Sequence, residues 1–297
     1  MWTERFAAAK VNLFLHVGPV AADGYHPVCS LMVFADVGDI VRLRAAPAMD
    51  FRVDGPFADV LGTEADNLVT LARDRLVADL VSTPTPFELV LDKRLPIAAG
   101  LGGGSADAAA ALRLIADRLT AAGRPPEPGR VAAIARALGA DVTACLASAS
   151  VIGRGRGDEM APAPAMPPLD AVLVNPRAAS PTGAVYRAFD ALPPGPGADE
   201  PPTWSDLADL SSVVAFLGET RNDLEAPAVA LQPRIGEVLT ALRDAPQARF
   251  TRMSGSGATC FALCESSGDA VALAARVSAG HPGWWVRACR FAVGPAG

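Results

Sequence analysis

A run of glycines between a strand-like and a helix-like stretch is the strongest chemical signal in the sequence. The segment Pro96–Ser105 ends in three adjacent glycines and a serine. Such glycines let the backbone approach an anion, and a helix starting near Ser105 would direct free N–H groups and its positive dipole end toward it. The segment lacks the Gly-Lys-Ser/Thr ending of a Walker loop and the dinucleotide-binding glycine spacing. It predicts a phosphate-binding loop, with a tight turn capping a core helix as the alternative; Asp107, in the predicted first turn, needs no catalytic role.

Lysine is scarce enough to be informative, since only Lys10 and Lys93 among the 26 basic residues are lysines. Lys10 lies in an apolar, strand-like stretch, where an unpaired cation would be costly, so it is a candidate site residue. The two-residue spacing from Lys10 to Asn12 places a cation and an amide on the same side of a strand. Lys93 stands between Asp92 and Arg94, a pattern typical of solvated surface.

Two further turns have compositions suited to ligand binding. Asp23-Gly24-Tyr25-His26 presents an aromatic plane beside an imidazole, a pair suited to a flat heterocycle, although a histidine after a turn is more often surface decoration. Met253–Ala258 is a small-residue turn between two predicted strands, with room for another backbone segment or a phosphate. Neither turn identifies a ligand by itself.

Composition excludes several classes of protein. The 297 residues are 51% hydrophobic and 20% charged, which is typical of a folded chain. A net charge of −6 leaves no diffuse basic surface for nucleic acid or anionic lipid. Uncharged apolar runs stay below the roughly 18 residues needed to cross a bilayer. The five cysteines lack a C-x-x-C pair, which disfavours disulfides or a zinc site and favours the cytoplasm, and Cys260 and Cys264 are predicted to be buried core thiols.

Hydrophobic spacing predicts a mixed α and β chain. Strands are predicted at residues 8–17, 30–34, 40–43, 51–53, 87–91 and 171–174, with a turn at Gly38-Asp39. Helices are predicted around Leu68, Leu71, Leu76 and Leu80 behind an Asn67 or Asp66 cap, around Leu112, Ile115 and Leu119, and over 131–138 and 183–191.

The remaining signals concern boundaries and the C-terminal part. Gly139 suits a left-handed cap, and Asp141 follows at the mouth of a turn. A helical region reaches about Asp244, and a strand, glycine turn, strand, helix, strand order follows over 250–291. The proline-rich segment 161–168 predicts a boundary between domains at 1–160 and 169–297.

Taken in order, these motifs resemble the GHMP kinase superfamily. The segments are AKVNLFLHV (9–17), DGYH (23–26), LPIAAGLGGGSADAAA (95–110), LGADV (138–142) and RMSGSGATCFAL (252–263). The resemblance runs from about residue 6 to 290. It implies an α+β, two-domain GHMP kinase fold, with an N-terminal ATP-binding domain like ribosomal protein S5 domain 2 and a C-terminal ferredoxin-like α/β sandwich.

The resemblance also implies an activity. Within the superfamily, DGYH together with AKVNLFL is similar to the branch that uses ATP and Mg²⁺ to phosphorylate the 2-hydroxyl of a cytidine-diphosphate-linked methylerythritol in the non-mevalonate isoprenoid pathway. Mg²⁺ would bridge phosphate oxygens, and no residue is assigned as a metal ligand. The expected partners are these small molecules, on a monomer or weak homodimer. The alternatives are a homoserine- or mevalonate-type GHMP kinase, or a non-catalytic nucleotide sensor.

Roles for individual residues follow from the same resemblance. Asp141 is the implied general base with Lys10 as its cationic partner, and Asn12 would fix the methylerythritol end. The cytidine end would bind Tyr25, His26, Thr182 and Tyr186, although Tyr186 could instead be a helix residue packed on the core. The implied ATP-binding residues are Asn67, Pro96, Ile97, Ala98, Ala99, Gly100, Leu101, Gly102, Gly103, Gly104 and Ser105, and an N-cap explains Asn67 equally well. The chain departs from the family pattern at Thr143, where a proline is usual, and at 147–150, which lack a glycine-bearing turn.

Overall fold

The chain forms two compact units, each built from separate stretches of sequence. The computed structural model describes residues 1–61, 67–78, 86–193, 195–198 and 207–292. The first unit comprises Met1–Ala9, Gly38–Ile97 and Gly102–Ala147, and the second comprises Lys10–Val37, Ala98–Leu101 and Ser148–Gly297. Strands β1 (Thr3–Val17) and β2 (Val28–Ala45) each contribute residues to both units.

The first unit combines a small sheet with helices. The C-terminal half of β2 pairs antiparallel with β4 (Phe87–Asp92), from Ile40 opposite Asp92 to Ala45 opposite Phe87, and β3 (Asp50–Asp54) pairs parallel with β4. Its helices are a 3₁₀ turn (Ala58–Val60), α1 (Leu68–Ala78), α2 (Gly103–Ala121), α3 (Arg130–Leu138) and α4 (Ala140–Ala147).

The predicted turn at Gly38-Asp39 is wrong, because one continuous strand replaces the two strands expected at 30–34 and 40–43. A Cβ on Gly38 would lie only 2.2 Å from the carbonyl oxygen of Ala7 and 2.8 Å from Phe6 Cζ. Glycine therefore serves a close approach between neighbouring backbones here and does not reverse the chain.

Helix boundaries in the first unit differ in detail from the predictions. Leu112, Ile115 and Leu119 are buried as predicted, but α2 begins at Gly103 and not at Ser105, with Gly102 left-handed as its N-cap. Asp107 therefore lies beyond the first turn. Leu71 is exposed, contrary to its predicted place on the buried face, because α1 buries Val69, Thr70, Ala72 and Leu76 instead. The predicted positions Asp66 and Leu80 lie outside the described residues.

Two further corrections concern the segment between α3 and α4. Gly139 ends α3 as expected, but its φ of 149° and ψ of 161° are not those of a left-handed helical cap. Asp141 lies in the first turn of α4 and not in a turn that precedes another element.

The second unit is a sheet in which β10 (Trp285–Ala292), β7 (Leu169–Asn175), β9 (Cys260–Cys264) and β8 (Ala248–Met253) pair antiparallel in that order. The predicted strand, glycine turn, strand, helix, strand order is confirmed. Helices α5 (Thr182–Asp190), α6 (Leu210–Gly218), α7 (Glu225–Leu231), α8 (Arg234–Arg243) and α9 (Ser267–Gly280) complete it. A core of apolar side chains from β7, β9, α8 and α9 holds the unit together.

A short hairpin in this unit has no counterpart among the predicted elements. Strands β5 (Val151–Arg154) and β6 (Glu159–Pro162) pair antiparallel, and β5 also pairs with the N-terminal half of β2. Ala161 and Pro162, from the proline-rich segment, form the end of β6, opposite Ile152 and Val151.

The predicted burial of the Cys260 and Cys264 thiols is confirmed, and the other three cysteines are buried as well. Burial raises the pKa of the Cys264 thiol to about 11 and that of the Cys260 thiol well above its usual range. In the described part of the chain, no helix is long and apolar enough to span a membrane.

Candidate active site

Lys10 and Asn12 form the start of a buried polar chain on β1. The Lys10 Nζ donates to Asn12 Oδ1 at 2.8 Å, which confirms that both side chains lie on one side of the strand. Asn12 Nδ2 donates to Ser30 Oγ at 2.7 Å, and Ser30 donates to the carbonyl of Phe14. Because these three polar residues are at most 5% exposed, the contacts fix the amide and the ammonium in defined positions.

The first half of the glycine loop is tied to β1 and to the turn Met253–Ala258 within the second unit. The Lys10 N–H donates to the Leu101 carbonyl, the Thr259 N–H donates to the Ala99 carbonyl, and Ser254 Oγ donates to the Gly100 carbonyl at 2.8 Å. A Cβ on Gly100, whose φ is +73°, would lie 2.3 Å from the Ser254 carbonyl oxygen. The small-residue turn therefore admits another stretch of backbone, which is one of its two predicted uses.

The second half of the glycine loop begins α2 in the first unit. Gly102 is left-handed, and the Ala106 N–H donates to its carbonyl. Gly104 is exposed, and a Cβ there would meet only Leu68 Cδ1 at 3.7 Å. Open backbone at the start of a 19-residue helix fits a phosphate, since the first N–H groups of a helix lack intrahelical partners.

Lys93 corrects the expectation of a solvated surface residue. Its side chain is 3% exposed, and Nζ lies 2.6 Å from Asp39 Oδ2 and 2.8 Å from Asp107 Oδ2. Sequence reasoning missed this cluster because Asp92 and Arg94, the neighbours of Lys93, do form a surface pair. The available signals were the scarcity of lysine and the place of Lys93 just before the glycine loop.

His26 is held by the protein on both ring nitrogens. Nδ1 lies 2.9 Å from the Gly18 carbonyl oxygen, and Nε2 lies 3.2 Å from Asp190 Oδ1. The ring centroid is 5.0 Å from that of Tyr186, at 37° between the planes. The His26 side chain is only 9% exposed, so it is not surface decoration. Tyr186 also packs on the core of the second unit, as the alternative interpretation of this residue held.

Tyr25 is 57% exposed and carries an arginine on one face. The guanidinium carbon of Arg156 lies 4.3 Å from the Tyr25 ring centroid, and Arg156 forms an ion pair with Asp23 in the same turn. Sequence reasoning missed Arg156 and Asp190, because both come from segments far along the chain from the turn they contact.

Thr182, Asn67 and Asp141 have the following places. Thr182 Oγ1 lies 2.8 Å from Ser256 Oγ at the start of α5. Asn67 Oδ1 accepts from the Val69 N–H at 2.9 Å, so it caps α1 as one interpretation held. Asp141 is half-buried at the second position of α4. Within the described ranges, no group of three or more His, Cys, Asp or Glu side chains is arranged to hold a metal ion.

Comparisons with known proteins agree with this fold. Residues 67–149 match the model of the GHMP kinases N terminal domain, and residues 204–283 match that of the GHMP kinases C terminal domain. A homoserine kinase from Cytophaga hutchinsonii, 20% identical, shares the fold with a TM-score of 0.67 over 98% of this chain and 95% of its own. The chain is therefore a GHMP kinase by fold.

Two closer relatives narrow the family. The 4-diphosphocytidyl-2-C-methyl-D-erythritol kinase of Caulobacter sp. strain K31 is 53% identical over 98% of this chain and 99% of its own. A crystal structure of a 4-(cytidine 5'-diphospho)-2C-methyl-D-erythritol kinase is 31% identical, with a TM-score of 0.75 over 98% of this chain and 100% of its own. The chain belongs to the 4-diphosphocytidyl-2-C-methyl-D-erythritol kinase family of GHMP kinases.

Proposed function

We propose that the chain transfers the γ-phosphoryl group of ATP to the 2-hydroxyl of 4-diphosphocytidyl-2-C-methyl-D-erythritol, giving the 2-phosphate and ADP. Relatives that cover 98% of the chain are named as kinases of 4-diphosphocytidyl-2-C-methyl-D-erythritol. The structural observation that carries the proposal is the pair of His26 and Tyr186 rings, 5.0 Å apart beside the Tyr25 turn. Homoserine and mevalonate have no nucleobase that such rings could stack against.

The cytosine is proposed to bind between aromatic faces. Tyr25 offers an exposed ring, and the Arg156 guanidinium lies against one face of that ring. His26 Nδ1 is fixed by a backbone carbonyl, whereas its Nε2 partner, Asp190, is 42% exposed and able to rotate away. Nε2 is therefore the atom assigned to the edge of the base, and Tyr186 and Thr182 are assigned to the same ligand.

The phosphates are assigned to the glycine loop, and the proton transfer to Asp141. Phosphoryl transfer has a loose transition state, so catalysis depends mainly on positioning and charge stabilisation. Asp141 accepts the proton of the substrate 2-hydroxyl. As it does so, the hydroxyl oxygen bonds to the γ-phosphorus, the bond from the γ-phosphorus to the β-γ bridging oxygen breaks, and ADP departs. Lys10 stabilises negative charge, and Asn12, held between Lys10 and Ser30, orients the methylerythritol. Bound Mg²⁺ would neutralise phosphate oxygens, and Asn67 and Pro96–Ser105 are the assigned ATP-binding residues.

The proposed location is the cytoplasm, and the proposed state is a monomer or weak homodimer. Five buried thiols are consistent with a reducing compartment. Light scattering over a range of concentrations tests the state, and a stable tetramer would contradict it.

An ADP-release assay with three acceptors tests the activity. The purified chain is given ATP and Mg²⁺ with 4-diphosphocytidyl-2-C-methyl-D-erythritol, homoserine or mevalonate in parallel. ADP is expected to form only with the first acceptor, one molecule for each acceptor molecule that is phosphorylated. Release with homoserine or mevalonate but not with the cytidine compound would assign the chain to another GHMP activity, and nucleotide binding without release would indicate a sensor.

A further inference from the structure

A buried group of three ionisable side chains lies next to the start of α2; we name Asp39, Lys93 and Asp107 the charge cluster. Their side chains are 0%, 3% and 2% exposed. They come from three elements: Asp39 from β2, Lys93 from the residue after β4, and Asp107 from α2. All three belong to the first unit, and none has a role in the proposed reaction.

The charge cluster touches the backbone of the glycine loop. A Cβ on Gly103 would lie 2.9 Å from Lys93 Nζ and 3.6 Å from Asp39 Oδ2. The ammonium is therefore packed directly against the first residue of α2. A larger cation at this point, or the same cation in a different position, would push against the turn that carries the first N–H groups of α2.

The same cluster fixes the segment that leads into the loop. Asp39 Oδ1 accepts from the Arg94 N–H at 2.5 Å and from the Leu95 N–H at 2.8 Å, immediately before Pro96. Lys93 and Asp39 thus hold the entrance of the loop, while Lys93 and Asp107 hold its helical exit. The Lys93 ammonium therefore helps to hold both ends of the segment Pro96–Ser105 in place.

Stability is a weak explanation for such a cluster. Buried ion pairs are often no better for folding than apolar side chains of similar volume, because desolvation offsets the attraction between charges. Asp107 Oδ1 is buried without a hydrogen-bond partner among the described residues, which adds to the cost. Desolvation raises the pKa of Asp107 to about 8, and the two carboxylates raise the pKa of Lys93 against the opposing effect of its own burial. Because the charge cluster adds little to stability but has a fixed geometry, a role in positioning the glycine loop explains it better.

We propose that Lys93, oriented by Asp39 and Asp107, is a positioning residue that sets the glycine loop for the nucleotide phosphates. The inference rests on the proposed function, since it takes the nucleotide to be the ligand of this loop. Lys93 need not touch the nucleotide. It acts through the backbone of Gly103. A displacement of about 1 Å in a positioning group can lower a reaction rate about 100-fold.

The test compares Lys93→Arg with Asp107→Leu and with the control Arg94→Met, all in the full chain. Arginine keeps the charge, but its planar guanidinium does not fit where a compact ammonium packs against Gly103. Asp107→Leu leaves Lys93 paired with Asp39 but removes one of its two anchors. Arg94 is exposed and points to Asp92, so its replacement controls for charge near the loop.

The readouts separate positioning from general damage. Isothermal titration with the magnesium complex of a non-hydrolysable ATP analogue gives the nucleotide Kd, and initial rates give KM for each substrate. Lys93→Arg and Asp107→Leu are expected to raise the nucleotide Kd and the KM for ATP about tenfold, with the KM for the acceptor within twofold and Arg94→Met within twofold throughout. A folded Lys93→Arg or Asp107→Leu variant with unchanged nucleotide Kd, or with equal rises in both KM values, would overturn the proposal.

Failure of the proposed function gives a different result. Nucleotide titration needs no acceptor, so a chain that phosphorylates another alcohol still reports on the charge cluster. A wild-type chain that binds no nucleotide contradicts the proposed function itself. A wild-type chain that binds nucleotide as tightly as its cluster variants contradicts only the role of Lys93.

Discussion

Replacing Lys93 by methionine is expected to lower the free energy of unfolding by about 3–5 kcal/mol, the usual cost of removing one partner of a buried ion pair. Methionine keeps the unbranched apolar stem, so the loss comes from charge. The ammonium that disappears lies 2.6 Å from Asp39 Oδ2 and 2.8 Å from Asp107 Oδ2. The carboxyl groups of Asp39 and Asp107 would both remain buried without that cationic partner. Against a total of roughly 5–15 kcal/mol for a domain, this loss is a large fraction of the stability, and the denaturation midpoint is expected to fall in proportion.

The matched control is the neighbouring residue. Arg94→Met removes a cation that is 47% exposed and paired with Asp92, for which a loss below about 1 kcal/mol is expected. Urea denaturation followed by far-ultraviolet circular dichroism gives both free energies.

The pH dependence of the free energy of unfolding gives a second test of the same buried pairing. Because desolvation raises the pKa of Asp107 from 3.8 to about 8, the folded chain keeps a proton that the unfolded chain releases. This contribution to stability is complete below pH 3.8 and is lost as the pH rises through about 8. Without the Lys93 ammonium the pKa of Asp107 rises further, so Asp107 stays protonated to a higher pH in the folded Lys93→Met variant, and the deficit of that variant is expected to be larger at about pH 9.5 than at pH 5. Equal losses for Lys93→Met and Arg94→Met at both pH values would refute the buried pairing.

Three further predictions concern the proposed reaction. Asp141→Asn should lower kcat by about 10²–10⁴ in the ADP-release assay while nucleotide titration stays within threefold; unchanged turnover would exclude Asp141 as the base. Tyr25→Ala should raise the KM for the cytidine substrate about five- to 150-fold, since stacking on a base is worth about 1–3 kcal/mol, and an effect confined to the KM for ATP would contradict the cytosine assignment. Arg156→Met should raise the same KM about two- to fivefold, the value of an exposed cation–π contact, and an effect as large as that of Tyr25→Ala would show that Arg156 does more than support the ring.

Features set by residues close together in the chain were predictable from the sequence. The period of two on a strand places Lys10 and Asn12 on one side, and the structure joins them at 2.8 Å. The glycine run that opens a helix, and the alternation of strands and helices over residues 250–291, were recognised in the same way, because short-range spacing decides them. The roles of Lys10, Asp141 and the residues assigned to the substrates stay predictions that only the assays above test.

Tertiary structure decided the features that depend on distant partners. Asp39 is 54 residues from Lys93, and only the pairing of β2 with β4 brings them together and turns an apparent surface lysine into a buried one. Arg156 reaches the turn at Asp23 across 133 residues, and Gly38 stays within a strand because Ala7 lies against it. In each case the same local sequence is compatible with solvent or with burial. The choice depends on which backbone packs against it, because desolvation and charge pairing act through space and not along the chain.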